Sequence, residues 1–209
     1  MNAKAKADGL ALYGGAFNPP HLTHRRIVEA ALLQLPVAEL AVLPTGNHPH
    51  KKAREVATAE HRLAMCQLAF GAMPRVRIDD RELRRSGMSF TVTTLEELYA
   101  EDPSRELWFV IGADNLPLLP SWREHHRILQ LARIATFPRL HCRIERRELE
   151  RLDLSADERE RLLERVLVLE PDAVAAQDVR ARLRSGECNL PELDVAVESY
   201  VRTHHLYGT

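Results

Sequence analysis

Two histidines stand three residues apart, at His21 and His24, directly after a segment rich in glycine and turn-forming residues. The apolar run Leu10–Tyr13 precedes that segment and predicts a buried strand, and the amphipathic stretch after it predicts a helix. A glycine turn between a strand and a helix lets the backbone approach an anion closely, and the first amides of the helix point at that anion. Imidazoles at positions i and i+3 face the same side and can donate to the same anion. The spacing therefore predicts a phosphate site.

This segment differs from the dinucleotide fingerprint G-x-G-x-x-G and from the P-loop, whose lysine it replaces with histidines. A second interpretation is a tight turn between a strand and a helix whose histidines only cap the helix. Two histidines at this spacing alone would favour that interpretation, or a stray metal-binding pair. The glycines, the turn residues Asn18 and Pro19 and the histidines, all following a predicted strand, together favour phosphate binding.

The composition excludes several classes of protein. The 209 residues carry a formal charge of −1, so no global attraction to nucleic acid or to a membrane surface is expected. Cys66, Cys142 and Cys188 are widely spaced and form no C-x-x-C pair, which argues against a disulfide framework or a zinc cluster. The residues before Gly9 lack the apolar core of a signal peptide. We expect a cytoplasmic protein without a membrane span; its oligomeric state stays open, and a homo-oligomer is compatible with the sequence.

Apolar runs and helical patterns alternate along the chain. The predicted strands are Leu10–Tyr13, Glu39–Pro44, Val76–Asp79, Glu106–Ile111, Ile134–Phe137 and Arg165–Leu169. The predicted helices are Leu22–Leu35, Ala59–Ala72, Thr91–Glu101, Trp122–Leu131, Ser155–Leu163, Ala175–Ser185 and Pro191–Thr203. This alternation predicts an α/β fold of the Rossmann-like, doubly wound class, with a mostly parallel sheet and helices on both faces. We expect a single domain over residues 1–209, with a charged helical insertion at 139–165.

Four further groups of residues could contact a ligand. A loop after the second strand carries His48, His50 and Lys51; by itself it would be an ordinary basic surface loop. Asp114, after the glycine that ends the fourth strand, could accept from ribose hydroxyls or Mg²⁺-bound waters, or could cap a helix. Trp122 offers a flat face for a pyridine ring, or belongs to the core. Ser89 and Thr91 flank a helix start, where hydroxyls and amides suit a carboxylate, although capping explains them nearly as well.

The first segment resembles the signature G-x-F-[DN]-P-x-H-x-x-H of the nucleotidylyltransferase superfamily. Further matches resemble the bacterial nicotinate mononucleotide adenylyltransferases and span almost the whole chain in order. The matching segments are Pro49-His-Lys51, Ala59-Glu-His-Arg-Leu-Ala-Met65, Ser86-Gly-Met-Ser-Phe-Thr-Val-Thr-Thr-Leu95, Phe109-Val-Ile-Gly-Ala-Asp-Asn-Leu116 with Trp122, and Tyr200-Val-Arg-Thr-His-His-Leu-Tyr207.

The resemblance implies an adenylyltransferase that joins ATP to nicotinate mononucleotide in NAD biosynthesis, giving deamido-NAD and pyrophosphate. It implies that His21, His24 and Arg180 act at the reacting phosphates. The ATP-binding residues it implies are Gly14, Gly15, Ala16, Phe17, Asn18, Lys51, Gly112, Asp114 and Arg139. The mononucleotide-binding residues it implies are His50, Ser89, Phe90, Thr91 and Trp122. Mg²⁺ would enter bound to ATP, without a dedicated protein site for the metal.

One segment departs from the family pattern. The family carries I-S-x-T-x-I-R where this chain has Val174-Ala-Ala-Gln-Asp-Val-Arg180, so Ala175 and Gln177 replace two hydroxyl donors to the ATP phosphates. Each lost donor should weaken phosphate binding by about 1 kcal/mol. The stretch Pro138–His141 also lacks the family's R-P-G turn and keeps only Arg139. Two alternatives therefore stay open: transfer to nicotinamide mononucleotide or another phosphate ester such as phosphopantetheine, and a nucleotide-binding module without turnover.

Overall fold

The computed structural model describes residues 8–46, 57–139, 146–163, 165–170 and 173–209. Within them, five strands form one sheet: β1 (Gly9–Gly15), β2 (Val37–Pro44), β3 (Val76–Ile78), β4 (Leu107–Gly112) and β5 (Ala132–Phe137). The strand order is β3-β2-β1-β4-β5. β4 is parallel to β1, with Tyr13 opposite Val110, and parallel to β5, with Gly112 opposite Phe137. In this order the winding reverses between β1 and β4, which is the mark of a doubly wound sheet.

The α-helices of the described residues are α1 (Leu22–Gln34), α2 (Ala59–Phe70), α3 (Arg81–Arg84), α4 (Thr91–Glu101), α5 (His125–Leu131), α6 (Arg146–Leu149), α7 (Ala156–Leu163), α8 (Ala176–Arg184) and α9 (Val195–Thr203). In the same part of the chain, two 3-10 helices cover Ala113–Ser121 and Leu206–Gly208. The predicted α/β class is confirmed. None of the described helices combines the length and the apolar character needed to cross a membrane.

The strands form where apolar residues run together. All six residues of β4 are buried, as expected for a strand covered on both faces. Leu10 and Leu12 of β1 are also fully buried. Asp194 is the N-cap of α9, and its Oδ1 accepts from the Ala196 amide at 2.9 Å. A carboxylate at this position satisfies one of the otherwise unpaired first amides. The helix therefore starts at Val195, four residues later than the predicted start at Pro191.

The predicted strand Arg165–Leu169 is wrong, because over residues 165–170 the structure shows one isolated parallel bridge, between Thr136 and Val166. At this bridge the Thr136 amide donates to the Arg165 carbonyl, and the Thr136 carbonyl accepts from the Leu167 amide. At Val168 the side chain of Gln34 hydrogen-bonds to both backbone groups. Its Nε2 donates to the Val168 carbonyl at 2.9 Å, and its Oε1 accepts from the Val168 amide at 2.8 Å. A side-chain amide thus satisfies the backbone where the ladder would have continued.

The predicted helix Trp122–Leu131 begins three residues late, at His125. The 3-10 helix before it contains Pro117 and Pro120, and Trp122 itself has an extended backbone. Glu124 then adopts a left-handed conformation, with φ of 54°. Prolines and a left-handed residue do not continue an α-helix, so Trp122 lies in a loop between two helices.

The chain divides into two compact units. The first unit contains Met1–Tyr13, Val28–Ala41 and Phe90–Pro171, and the second contains Gly14–Ile27, Val42–Ser89 and Asp172–Thr209. The described residues of the charged segment 139–165 include α6 and α7, in which Leu149 and Leu162 are buried. That this segment is an insertion stays a prediction.

Candidate active site

The turn after β1 lies in the second unit and is shaped by Phe17. Its backbone is left-handed, with φ of 44°, and its buried ring packs edge-on against Phe70 and His24, with centroids 5.6 Å and 5.1 Å away. A Cβ on Gly15 would lie 2.9 Å from that ring. Gly15 is therefore required by the neighbouring aromatic ring as well as by any close approach of a ligand. Gly14 and Ala16 lie on either side of it, half-buried.

His21 and His24 are brought together at the start of α1. Their ring centroids are 3.8 Å apart, and the His21 amide donates to Nδ1 of His24 at 3.1 Å. Because Nδ1 of His24 accepts this hydrogen bond, the neutral ring carries its proton on Nε2. The backbone thus fixes the tautomer in which His24 presents an N–H donor. His21 is buried and His24 half-buried.

Asn18 connects the turn to three other segments of the second unit. Its side-chain Oδ1 accepts from the Ala57 amide and from the Tyr207 hydroxyl, each at 2.9 Å. Its backbone carbonyl accepts from Nη1 of Arg180 at 2.9 Å. The structure therefore brings Arg180, predicted to act on the same phosphates as the histidines, directly to their turn.

Arg62 of α2, to which sequence reasoning assigned no role, contacts this turn. It is only 6% exposed, and its guanidinium donates to the carbonyls of Ala16 at 3.1 Å, Thr45 at 2.7 Å and Ala57 at 3.3 Å. Burial lowers the pKa of Arg62. Among the residues the structure describes, it has no carboxylate partner. The arginine of the E-x-R-x-x-M match was the signal that could have identified it.

The first unit gathers a second group at the end of β4. Gly112 ends the strand, and a Cβ there would lie 2.2 Å from Oδ1 of Asp114 and 3.2 Å from Nε of Arg139. Asp114 and Arg139 form an ion pair at 3.7 Å. Gly112 takes the N-cap position of the 3-10 helix, without a side-chain cap bond, so Asp114 is not its cap. These predicted ATP-binding residues thus lie together although 27 positions of sequence separate the first from the last.

Tyr13 belongs to the same group and was not predicted. Its ring is buried edge-on against Phe137, with centroids 5.9 Å apart. Burial raises the pKa of Tyr13, while the charges of Arg139 and Asp114 act on it in opposite directions. Its hydroxyl is therefore protonated and uncharged at neutral pH.

Of the predicted mononucleotide-binding residues, Phe90, Thr91 and Trp122 belong to the first unit. Thr91 is the first residue of α4 and Phe90 its N-cap, without a side-chain cap bond, so capping does not explain their place. The Arg123 guanidinium lies 4.9 Å from the Phe90 ring centroid. Trp122 is half-buried and packs edge-on against Phe109 at 6.1 Å; the tryptophan of the core is Trp108.

Other predicted positions lie elsewhere. Ser89 belongs to the second unit, and its hydroxyl donates to the Glu82 carbonyl at 3.4 Å. His50 and Lys51 lie outside the described residues. At the altered segment, Ala175 is the N-cap of α8 and makes no side-chain cap bond, while Gln177 is exposed. The first amides of α8 therefore receive no cap from the residue that replaces the family's hydroxyl.

A cluster of metal-ligating residue types was also missed by sequence reasoning. His125, His126 and Asp153 place one potential ligand atom each within 4.8 Å of one another. Each imidazole already has a hydrogen-bond partner. Nε2 of His125 bonds to the Asp153 carbonyl oxygen at 3.1 Å, and Nδ1 of His126 bonds to a Glu158 carboxylate oxygen at 3.0 Å. These bonds join α5 to the start of α7 and give the cluster a structural role in the first unit.

Comparison with known proteins identifies the family of this chain. Residues 12–180 match the family described as Cytidylyltransferase-like. A protein of Albidiferax ferrireducens named "Probable nicotinate-nucleotide adenylyltransferase" is 40% identical over 200 residues, covering 96% of this chain and 98% of the relative. A protein of the same name from Thermomicrobium roseum is 33% identical over 200 residues, covering 96% of this chain and 92% of the relative.

Among solved structures, the nicotinic acid mononucleotide adenylyltransferase of Plasmodium falciparum in complex with NaAD has the same fold. Its TM-score is 0.76 at 16% identity, with 96% of this chain and 97% of that chain covered. The full-length relatives and the match over residues 12–180 give the assignment. The chain belongs to the Cytidylyltransferase-like family and, within it, to the nicotinate-nucleotide adenylyltransferases.

Proposed function

We propose that this protein transfers the adenylyl group of ATP to nicotinate mononucleotide, giving deamido-NAD and pyrophosphate. The observation that carries the proposal is the turn on which His21, His24 and Arg180 meet: the imidazole centroids lie 3.8 Å apart, and Arg180 donates to the carbonyl of Asn18 in the same turn. The relatives of this chain over its whole length bear the name of this activity.

The chemistry requires charge stabilisation rather than a general base. The attacking phosphate oxygen of the mononucleotide is already ionised at neutral pH. It forms a bond to the α-phosphorus of ATP, the bond from that phosphorus to the bridging oxygen breaks, and its electron pair leaves with pyrophosphate. Donors fixed before the reaction stabilise the charge that develops in the transition state. His24, with its proton on Nε2, is such a donor.

The remaining residues take their roles from the family pattern and the geometry around them. Arg180 and Lys51 hold the β- and γ-phosphates, and the turn from Gly14 to Asn18 admits the nucleotide to the backbone. Asp114 and Arg139 bind ATP at the end of β4. A divalent metal accompanies ATP as part of the substrate; we propose that it is Mg²⁺, which keeps most of its waters and needs few protein ligands.

The mononucleotide is held by a different group of residues. The first amides of α4, with Phe90 and Thr91, suit the nicotinate carboxylate, and the face of Trp122 suits the pyridine ring. His50 and Ser89 complete the proposed set.

The test is a pyrophosphate-release assay with ATP and Mg²⁺, run in parallel with nicotinate and with nicotinamide mononucleotide, and with the products identified by mass spectrometry. We expect deamido-NAD and a higher kcat/KM for the nicotinate substrate. A higher kcat/KM for nicotinamide mononucleotide would reassign the substrate and keep the reaction class.

A nucleotide-binding module without turnover is the second candidate, favoured by the uncapped N-terminus of α8 at Ala175. It predicts that ATP binds, as calorimetry would measure, while neither mononucleotide releases pyrophosphate. The same pair of measurements therefore distinguishes the two functions.

A further inference from the structure

The chain's C-terminal turn forms a closed hydrogen-bonded circuit with the histidine turn. The Tyr207 hydroxyl donates to Oδ1 of Asn18 at 2.9 Å, and Arg180 donates to the carbonyl of the same Asn18 at 2.9 Å. Arg184, one helical turn after Arg180 on α8, donates from Nε to the Tyr207 carbonyl at 3.3 Å. Three segments that are distant in sequence thus hold one another in place.

The backbone at Tyr207 indicates that this placement has a cost. Its φ is 63° and its ψ 11°, a left-handed conformation that is unfavourable for a bulky aromatic residue. Such conformations persist only where surrounding contacts impose them, and they cluster at functional sites. Here the contacts are Arg184 on the carbonyl and Asn18 on the hydroxyl. The Tyr207 side chain is largely buried, and burial raises the pKa of its hydroxyl, so the group remains a donor at neutral pH.

The circuit ends next to the proposed reacting groups. Asn18 is three residues before His21, and the His21 amide fixes the tautomer of His24 through its 3.1 Å bond to Nδ1. Oδ1 of Asn18 has a second donor, the Ala57 amide. Loss of the Tyr207 bond would therefore loosen the turn without releasing it.

We propose that Tyr207 is a positioning residue for adenylyl transfer. Through the Asn18 side chain, it holds His24 and Arg180 in the positions that the reaction requires. This inference rests on the proposed function. Because the Tyr207 hydroxyl hydrogen-bonds to Asn18, Tyr207 affects kcat rather than substrate binding. A residue that only stabilised the fold would lower the melting temperature and leave kcat per folded molecule unchanged.

The test compares Tyr207→Phe with a matched control, Tyr200→Phe. Tyr200 lies in the same C-terminal segment, is half-buried, and uses its hydroxyl on Nδ1 of His61 at 3.0 Å rather than on the turn. We expect Tyr207→Phe to lower kcat about fivefold, as one lost hydrogen bond does, with KM for both substrates within about twofold of the wild type. Tyr200→Phe should leave kcat unchanged at a similar melting temperature.

A double variant shows whether the effect passes through the histidine. In a His24→Ala background, Tyr207→Phe should lower kcat by less than about twofold, because groups acting as one unit are not additive. An equal fivefold loss in both backgrounds, or equal kcat for the two phenylalanine variants, would overturn the inference.

A measurement without turnover separates this inference from the proposed function. Long-range ¹H–¹⁵N spectra of the free protein report the tautomer and environment of each imidazole. Tyr207→Phe should shift the His24 signals and spare those of His61, and Tyr200→Phe should do the reverse. Unchanged His24 signals in Tyr207→Phe would contradict the positioning role. A wild type with no adenylyl transfer would overturn the proposed function, while these spectra would still decide whether Tyr207 positions His24.

Discussion

The histidine turn and the end of β4 differ in how firmly their polar groups are held. In the turn, oxygens of Asn18 accept hydrogen bonds at 2.9 Å from Ala57, Tyr207 and Arg180. The buried Arg62 of α2 donates to the carbonyl of Ala16 in the same turn. At the end of β4, Asp114 and Arg139 are 53% and 37% exposed, and their closest ionic contact is 3.7 Å. The turn is fixed before any ligand arrives, whereas the carboxylate and guanidinium at β4 can rearrange around one.

This difference suggests a division of labour. Donors that stabilise a transition state must be held to within a fraction of an ångström, because a misplaced donor loses most of its effect. Groups that only bind substrate can adjust, and an exposed ion pair contributes little on its own. We therefore expect changes in the turn to appear in kcat and changes at the end of β4 to appear in KM.

The largest expected effect is that of His24→Ala. Removing the Nε2–H donor should lower kcat by two or more orders of magnitude, in line with the loss of a fixed donor at a developing charge. The half-buried ring is not part of the core, so the fold should persist, as circular dichroism would verify. His126→Ala, which removes an exposed imidazole from α5, is the matched control. A correctly folded variant with normal turnover would remove His24 from the mechanism.

A smaller effect is expected from Asp114→Asn. The variant removes the charge of a half-exposed carboxylate and keeps its shape, so KM for ATP should rise about threefold to fivefold, with kcat nearly constant in steady-state assays. The control is Asp157→Asn, an exposed carboxylate of α7 paired with Arg161 at 2.8 Å. A hundredfold fall in kcat for Asp114→Asn would mean that the two regions do not divide binding from chemistry.

Glu198→Gln should leave both kinetic constants unchanged and lower stability. Burial opposes ionisation of Glu198, but hydrogen bonds from Arg202 and from the amides of Leu190 and Asn189 outweigh it and lower the pKa of Glu198. A lowered pKa in the folded state gives stability that is present above the unfolded pKa of about 4.3 and is lost as pH falls through the folded pKa. The variant should be about 1 to 3 kcal/mol less stable at pH 7.

Thermal unfolding between pH 7 and pH 3 checks this expectation. The melting temperature of the wild type should fall more steeply on acidification than that of Glu198→Gln, so the two curves converge at low pH. Parallel curves would show that Glu198 does not supply this part of the acid sensitivity.

Local sequence was sufficient wherever a few neighbouring residues determine the conformation. The run Leu10–Tyr13, the glycines after it and the two histidines gave β1, the turn and α1 in their correct places. Thr91–Glu101 was predicted with the bounds of α4, because its hydrophobic spacing is helical throughout. The strand at Arg165–Leu169 failed because a distant side chain, Gln34, takes over the backbone of Val168.

The sequence by itself determined the class of fold and the turn with its two histidines, since these depend on residue types at short, fixed spacings. Tertiary structure alone decided what holds that turn. Asn18 and Tyr207 are 189 positions apart, and Asn18 and Arg180 are 162 apart. No periodicity or local propensity encodes a hydrogen bond over such a separation. Only the packed fold brings the donor and the acceptor to the same place.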